Sequence, residues 1–419
     1  MIRYLTAGES HGPELTGIVE GVPAGLQILA DELSKHLVRR QQGYGRGGRM
    51  AFEKDIVGIT AGIRHGLTMG SPITLKLANR AWEKDAANWP VTMAIEPVDA
   101  EIEKITLPRP GHADLVGDQK YGFGDIRPVI ERSSARETAM RVACCGIARQ
   151  LLKECGIQIG GHVIQIGENG YTNWEAIRNE ADPIIRTGAE NLYQKADESE
   201  VRCLNSELSG KMVDEIKQRR KEGSSLGGIY EIVVTGLPAG LGSYVHWDRK
   251  LDGLLAQAIM SIQAMKGVQI GLGFEAGTRD GQKVHDAITP GDERQSYNRA
   301  TNRAGGLEGG VTTGQPLIIQ GVMKPIPTML NPIDTVDIIT GEVTKTRYER
   351  SDVCALPRAV VVAESVIAPV LANALLEKFG GDSMKELVER LYCTFWLLKI
   401  KFHEVELHEL VVGFVFVEL

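Results

Sequence analysis

The chain has 419 residues, a formal net charge of −7, 43% hydrophobic and 24% charged residues, the composition of a soluble globular protein with one large domain or two or three ordinary ones. An acidic balance with only 5% aromatic residues argues against a nucleic-acid surface, which wants basic charge and stacking rings. No uncharged apolar run reaches the roughly 18 residues of a membrane span, the start MIRYLTAGESHG lacks a signal-peptide core, and six Cys without a CxxC pair suit reduced thiols in the cytoplasm.

Ile2 to Ala7 reads as a short strand running into Gly8-Glu9-Ser10-His11-Gly12. These five residues fit the G-x-S-x-G nucleophile elbow, but an elbow follows several strand–helix units and this one follows a single strand. A Gly-flanked loop presenting His11 to a ligand fits better. Residues 16–28 hold a strand, a Gly/Pro turn and a second apolar run. Residues 31–42 form an amphipathic helix with Asp31 as N-cap and Leu33 and Leu37 on its inner face. It closes in GYGRGGRM, residues 43–50. Gly43, Gly45 and Gly48 satisfy G-x-G-x-x-G, yet a dinucleotide fingerprint follows a strand and opens a helix, the reverse of this context. The remaining reading is a glycine loop that closes round an anion, with Arg40, Arg46 and Arg49 as bidentate donors. Residues 55–79 alternate short strands with glycine turns, and 80–105 read as an exposed, poorly packed connection.

The stretch from Arg109 to Arg141 is least like a core segment. It carries His112, Arg109, Arg127, Arg132, Arg136 and Arg141, the adjacent Ser133 and Ser134, and almost no aliphatic residue before Val129. Burying such charges unpaired is costly, so they face a ligand, one another or water. A local cationic cluster on an acidic chain points to a small anion. A helix is expected from Ser134 to Glu154, with Ala139, Val142, Ala143, Ile147 and Leu151 inward and an anion-binding first turn at Ser133 and Ser134. Residues 155–225, with helices expected at 173–185 and 197–222, read as an accessory segment.

The second half repeats the first. GIVEGVPAGL at 17–26 matches EIVVTGLPAGL at 231–241, GLTMGSPITL at 66–75 matches GVTTGQPLII at 310–319, and Glu131-Arg132-Ser133-Ser134 is followed in the same order by residues 349–352, ERSD. A duplicated unit folded into one domain is expected, with halves of about 1–154 and 226–380. An apolar helix runs into a strand over 254–271, GGLEGG at 305–310 is a close-approach loop, and Lys324 to Thr328 is a proline-stiffened loop with one cation and one hydroxyl. Asp352 is a candidate acid or base or one half of an Arg–Asp pair. His403 and His408 are five apart rather than four, so no zinc site is expected. Residues 391–419 form an atypical apolar tail without assigned chemistry.

Taken together, GESHG at 8–12, RRQQGYGRGGRM at 39–50, RPGHADL at 109–115, KYG at 120–122, RSSARETA at 132–139, AMKGV at 264–268 and RSD at 350–352 resemble the chorismate synthase family over about residues 1–390. The resemblance implies an α+β fold, a β-α-β sandwich with internal pseudo-two-fold duplication in a single large domain, assembled as a homotetramer. It implies a lyase of the shikimate pathway, which eliminates phosphate from 5-enolpyruvylshikimate 3-phosphate to give chorismate, uses reduced FMN with no net redox change, and has neither a membrane nor a nucleic acid as partner. His11 then matches the histidine near the leaving phosphate, His112 the one near the flavin, and Asp352 a carboxylate assisting deprotonation at the flavin. Substrate anions fall to His11, Arg40, Arg46, Arg49, Arg109, Ser134 and Arg136. Flavin positions are Arg132, Ser133, Ser134, Gln263, Ala264, Gly309, Lys324, Pro325, Ile326, Pro327, Thr328 and Arg350. Arg40 and Arg46 also match positions for NADPH, the reductant of members that reduce their own flavin. The alternatives are a flavin- or NADPH-dependent reductase of a phosphorylated anionic metabolite, and a non-enzymatic anion-binding protein.

Overall fold

The computed structural model describes residues 1–45, 55–291, 297–346 and 352–400, with side chains as far as residue 393. Arg46, Arg49, Arg350 and the tail from residue 401, with His403 and His408, lie outside the described residues.

Alternation of apolar and polar residues writes the first sheet. In β2 (Glu14–Glu20) Leu15, Gly17 and Val19 are buried while Ile18 and Glu20 face out. The sheet contains β1 (Arg3–Ala7), β2, β3 (Gly58–Ala61) and β4 (Ile73–Ala78), in the order β1-β2-β4-β3 with every neighbour antiparallel. The second sheet contains β5 (Gln158–Ile166), β6 (Gly228–Thr235), β7 (Met265–Ile270) and β8 (Leu317–Met323), in the order β5-β6-β8-β7, again all antiparallel, with Asn169–Gly170 added at the β5 edge. The chain therefore passes through the same strand order twice.

The connections repeat as well. Helix α1 (Ala30–Gln41) lies between β2 and β3, and α8 (Leu251–Met260) between β6 and β7. Short hairpins, 63–68 and 307–312, precede β4 and β8. Buried Thr68 donates to the Pro23 carbonyl at 2.6 Å and accepts from Leu26 N at 2.9 Å. Buried Thr312 makes the corresponding bonds to Pro238 at 2.7 Å and from Leu241 at 2.8 Å.

Two long helices join the sheets. Helix α4 (Glu137–Glu154) packs on β1, β2 and β4, and α9 (Leu356–Val366) on β5 and β6. The two helices also pack on each other, with α1 and α10 (Ala368–Phe379) against α4. Gly17 permits this closeness, because a Cβ there would collide with Met140 and Cys144 of α4. One apolar cluster runs from Leu15 and Leu75 through Ile147 and Val360 to Ile159 and Ile232. A shared core of this kind makes a single mixed α/β domain. The apolar run Leu356–Phe379 is long enough to cross a bilayer, but most of its apolar stretch is buried inside the protein, where it serves as core.

Several expectations shift. Helix α1 starts at Ala30, and Leu29 rather than Asp31 is its N-cap; the Leu29 amide is held by Gln150 Oε1 at 2.9 Å. Asp31 instead faces the positive end of the helix dipole from the first turn. The helix expected from Ser134 to Glu154 starts at Glu137 and follows a separate short helix. Helix α3 (Arg127–Ser133) ends at the serines, Ser134 is extended, and α4 begins at Glu137. Ser133 and Ser134 thus close one helix rather than open the next. The helix expected over 197–222 starts only at Ser206, as α7 (Ser206–Lys221); α6 (Ala189–Asp197) ends where it was expected to begin, and Arg202 has φ +58° in the turn between them. Residues 155–225 are more than an accessory segment. They supply β5, and α6 lies directly on it because Gly160 has no Cβ to strike the Ala189 carbonyl. Helix α5 (Trp174–Ile185) falls where expected, with Asn173 as N-cap.

One polar row crosses the second sheet. His162 on β5, Glu231 on β6, Gln320 on β8 and Gln269 on β7 stand in register. His162 Nε2 lies 3.1 Å from Glu231 Oε1, Gln320 donates to Glu231 Oε2 at 2.9 Å, and Arg178 of α5 pairs with the same carboxylate. Burial alone would raise the Glu231 pKa, but Arg178, His162 and Gln320 outweigh it and push the carboxyl down to about 2. A carboxyl depressed on folding stabilises the fold above its unfolded value near 4.5, and that contribution is lost as pH falls toward 2. We expect urea midpoints of the wild-type chain to drop more steeply between pH 5 and pH 3 than those of Glu231→Gln; parallel pH curves would refute this.

Candidate active site

The loop between β1 and β2 carries His11, and the end of α3 carries the group that fixes it. Both Glu131 carboxylate oxygens lie 3.1 Å from His11 Nδ1, and Oε2 also accepts the His11 amide at 2.8 Å. An ionised carboxylate only accepts, so Nδ1 carries a proton. Burial alone would raise the Glu131 pKa, yet the hydrogen bond and charge of His11 and the charge of Arg127 hold it below the usual carboxylate range. The His11 ring stacks on Trp89, centroids 4.0 Å apart and planes 16° from parallel. Trp89 belongs to the 80–105 segment, so that connection is exposed along much of its length but packed at the site.

His112 is built the same way from a different segment. Its Nδ1 lies 2.5 Å from Oδ1 of Asp114, the first residue of α2 (Asp114–Tyr121). Arg109 grips that carboxylate with Nε at 2.8 Å, Nη2 at 3.1 Å and its own amide at 3.0 Å. Asp114 is fully buried. Burial opposes its charge, but His112 and Arg109 hold its pKa far below the ordinary value. Each histidine therefore has a buried carboxylate on Nδ1 and an arginine on that carboxylate, Arg127 Nη1 at 3.3 Å in one case and Arg109 in the other.

Arg40 and Arg136 meet at buried Asp55, with Arg136 Nη1 at 2.6 Å and Arg40 Nη1 at 3.5 Å. Arg40 also donates to Thr138 Oγ1 and the Ala135 carbonyl, each at 3.0 Å, and Arg136 Nε to Asn79 Oδ1 at 2.9 Å. Asn79 donates in turn to the Glu9 and Gly12 carbonyls at 3.0 and 2.8 Å. These arginines thus brace the His11 loop from below. Ser134 Oγ donates to Ser10 Oγ at 3.1 Å, beside His11.

Several of the positions expected at a flavin are joined by hydrogen bonds. Arg132 Nη2 bonds the Thr6 carbonyl and hydroxyl at 2.8 and 3.0 Å, Thr6 donates to Glu137 at 2.9 Å, and Gln263 Nε2 reaches the same carboxylate at 3.3 Å. Ala264 has φ +66°, unfavourable for a residue with a Cβ, and its carbonyl accepts the Lys324 amide at 3.0 Å. The Lys324 ammonium donates to the Gly111 carbonyl, next to His112. Ile326 accepts from Ser225 at 2.6 Å, and the neighbouring Leu226 takes the Val353 carbonyl at 2.8 Å, which brings Asp352 beside this loop. Asp352 pairs with Arg358 of α9. Thr328 is buried and Ser133 Oγ turns back to the Val129 carbonyl at 2.6 Å. Gly309 stands apart, in the 307–312 hairpin beside Tyr244, while neighbouring Gly310 packs on Lys250 at the start of α8.

The chain is similar to known proteins over most of its length. A family model described as chorismate synthase matches residues 2–376. The chain is 54% identical over 388 residues to the chorismate synthase of Salinibacter ruber, covering 92% of this chain and 96% of that one. It is 54% identical over 395 residues to that of Geobacillus kaustophilus, covering 93% and 98%. The chain belongs to the chorismate synthase family. A solved chorismate synthase crystal structure superposes with a TM-score of 0.75 at 39% identity, over 95% of this chain and 98% of that one. As a member of the chorismate synthase family the protein is a lyase of the shikimate pathway, and the reductase and non-enzymatic alternatives fall away.

Sequence reading placed the two histidines but gave their partners no role. Asp114 follows His112 by two residues, and Glu131 opens the ERSS motif, so both stood in plain view. Their depth did not. Trp89, Asp55 and Asn79 carry no local signal, because each reaches the site only through tertiary contact.

Proposed function

We propose that the protein eliminates phosphate from 5-enolpyruvylshikimate 3-phosphate to give chorismate, with reduced FMN bound and no net redox change. The observation that carries this reading is the pair of histidines, each held by a buried carboxylate and an arginine, within a chorismate synthase scaffold. The C–O bond breaks with its electron pair going to the phosphate oxygen, a ring C–H bond on the opposite face breaks with its electron pair completing the new double bond and its proton leaving on the side of Asp352 and His112, and His11 Nε2 supplies a proton to the departing phosphate. Arg46 and Arg49 bind the substrate anions, backed by Arg40, Arg109, Arg136 and Ser134.

The residues fit a flavin. Gln263 Oε1 is buried with no hydrogen-bond partner among the described residues, the Lys324 amide donates to the carbonyl of the next residue, Ala264, and the Lys324 ammonium lies at the Gly111 carbonyl beside His112. Arg132, Ser133, Ser134, Gln263, Ala264, Gly309, Lys324, Pro325, Ile326, Pro327, Thr328 and Arg350 would hold FMN, which when reduced supplies electron density to the substrate ring. His112 and Asp352 hold protons at the flavin side of the site. The two runs of the same strand order and the paired threonines support a pseudo-two-fold duplication across one domain of about residues 1–390, with β5 placed in the second half. A homotetramer in the cytoplasm completes the reading.

Anaerobic turnover with chemically reduced FMN tests it. Phosphate and chorismate should appear in equal amounts while the flavin ends reduced. Phosphate without chorismate, or flavin oxidised in step with product, would overturn the elimination. Replacing the reductant with NADPH and oxidised FMN shows whether this chain reduces its own flavin.

A further inference from the structure

We infer that Glu131 is a positioning residue for phosphate release, fixing which nitrogen of His11 meets the substrate. This rests on the reading of His11 as proton donor. Glu131 binds the His11 loop at three points: its carbonyl accepts the Ser10 amide at 3.1 Å, Oε2 accepts the His11 amide at 2.8 Å, and both carboxylate oxygens lie 3.1 Å from His11 Nδ1. One side chain thus sets both the path of the loop and the direction of the ring. A carboxylate that served packing alone would need none of the imidazole contact. The Glu131 side chain is wholly buried, and Arg127 Nη1 at 3.3 Å keeps a counter-charge on it.

Trp89 fixes the remaining freedom. A single hydrogen-bonded edge would let the imidazole rock about the Nδ1 contact. The stacked indole at 4.0 Å sets the plane of the ring, and Arg127 lies 5.6 Å over the other part of the same stack. Nδ1 and one face are thus held by Glu131 and Trp89, the side chain keeps 23% exposure, and under the proposed function Nε2 is the nitrogen that serves the substrate. During release the Nε2 proton passes to the phosphate oxygen as the C–O bond breaks. The Nδ1 proton stays between His11 and Glu131, and the ring ends neutral in a single tautomer.

The test compares Glu131→Gln, Glu131→Asp, Trp89→Leu and His11→Ala in the full chain, with the flavin reduced. Glu131→Gln should lower kcat about 10–100-fold, the scale of a misdirected catalytic group, with KM for the substrate and the FMN Kd held. Glu131→Asp should recover part of the loss. Trp89→Leu, a change near the surface, should lower kcat in the same direction. NMR of His-labelled protein should show the His11 Nδ1 proton resonance in the wild type and its loss or displacement in Glu131→Gln. If His11→Ala slows turnover while Glu131→Gln and Trp89→Leu keep kcat and the Nδ1 signal, the positioning role is overturned and His11 stands. If His11→Ala itself leaves kcat unchanged, the reading of His11 fails first. Should Glu131→Gln fold poorly, Trp89→Leu and Glu131→Asp still decide, since unchanged kcat in both refutes the inference.

Discussion

His11→Ala and His112→Ala each lower turnover by about 10²–10⁴-fold, the usual worth of a positioned acid or base, while FMN binds nearly as before. The two rings sit on separate segments. His11 is held in the β1–β2 loop by Glu131, and His112 at the start of α2 by Asp114 and Arg109. Removing either ring leaves its buried carboxylate still paired to an arginine, Arg127 or Arg109. Each site therefore keeps charge balance, and the loss should fall on kcat rather than on folding. None of the hydrogen bonds that join Arg132, Thr6, Glu137 and Gln263, residues of the proposed flavin site and their partners, involves either imidazole, which is why flavin affinity should hold. Stopped assays of phosphate and chorismate, beside fluorescence titration of FMN, check this. Unchanged turnover in either variant removes that histidine from the mechanism, and a matching collapse of flavin affinity would reassign it to cofactor binding.

Glu364→Gln destabilises the fold by about 3–5 kcal/mol, the cost of breaking a buried ion pair on one side. Glu364 lies on α9 with no exposure and receives Arg39 Nη1 at 2.6 Å, Arg39 Nη2 at 3.0 Å and Arg149 Nη1 at 2.9 Å. Arg39 comes from α1, Arg149 from α4, and Arg39 also pairs with Asp197 of α6 at 2.5 Å. Burial works against the Glu364 charge, but the two guanidiniums hold its pKa below the ordinary value. One carboxylate thus neutralises two cations where helices of both halves converge. The amide of Gln keeps the shape and loses the charge, leaving Arg149 and part of Arg39 buried without a counter-ion. The urea midpoint and Tm should both fall, while kcat measured well below the transition stays near wild type. An unchanged midpoint would mean that water or rearrangement solvates these arginines.

The site was legible in proportion to how local its chemistry is. His11 between glycines, His112 in RPGHADL and the RSSARETA run carry their signal in a few adjacent residues. Gln263 and Ala264 were named only through family likeness, and Lys324 read from sequence only as the cation of a proline-stiffened loop. Their reason is visible in the folded chain, where the left-handed Ala264 turns its carbonyl to Lys324 and Lys324 reaches the Gly111 carbonyl beside His112. Arg40 read in sequence as one donor, with Arg46 and Arg49, of an anion-binding glycine loop, and Arg136 as part of the cationic cluster from Arg109 to Arg141. The fold shows Arg40 and Arg136 buried and braced on Asp55, a residue that no motif links to either.

Sequence alone determined the strand alternation, the repeated turn-and-strand motifs and the identity of the charged clusters. Those depend on side-chain periodicity and on residues within one turn of each other. Only the tertiary structure decided that residues 155–225 give the second sheet its β5, that Ser133 and Ser134 end a helix, and that Trp89 covers His11. Each of those depends on which surfaces meet in the folded chain, between segments far apart in sequence. Burial and charge pairing at long range decide that, and no local pattern encodes them.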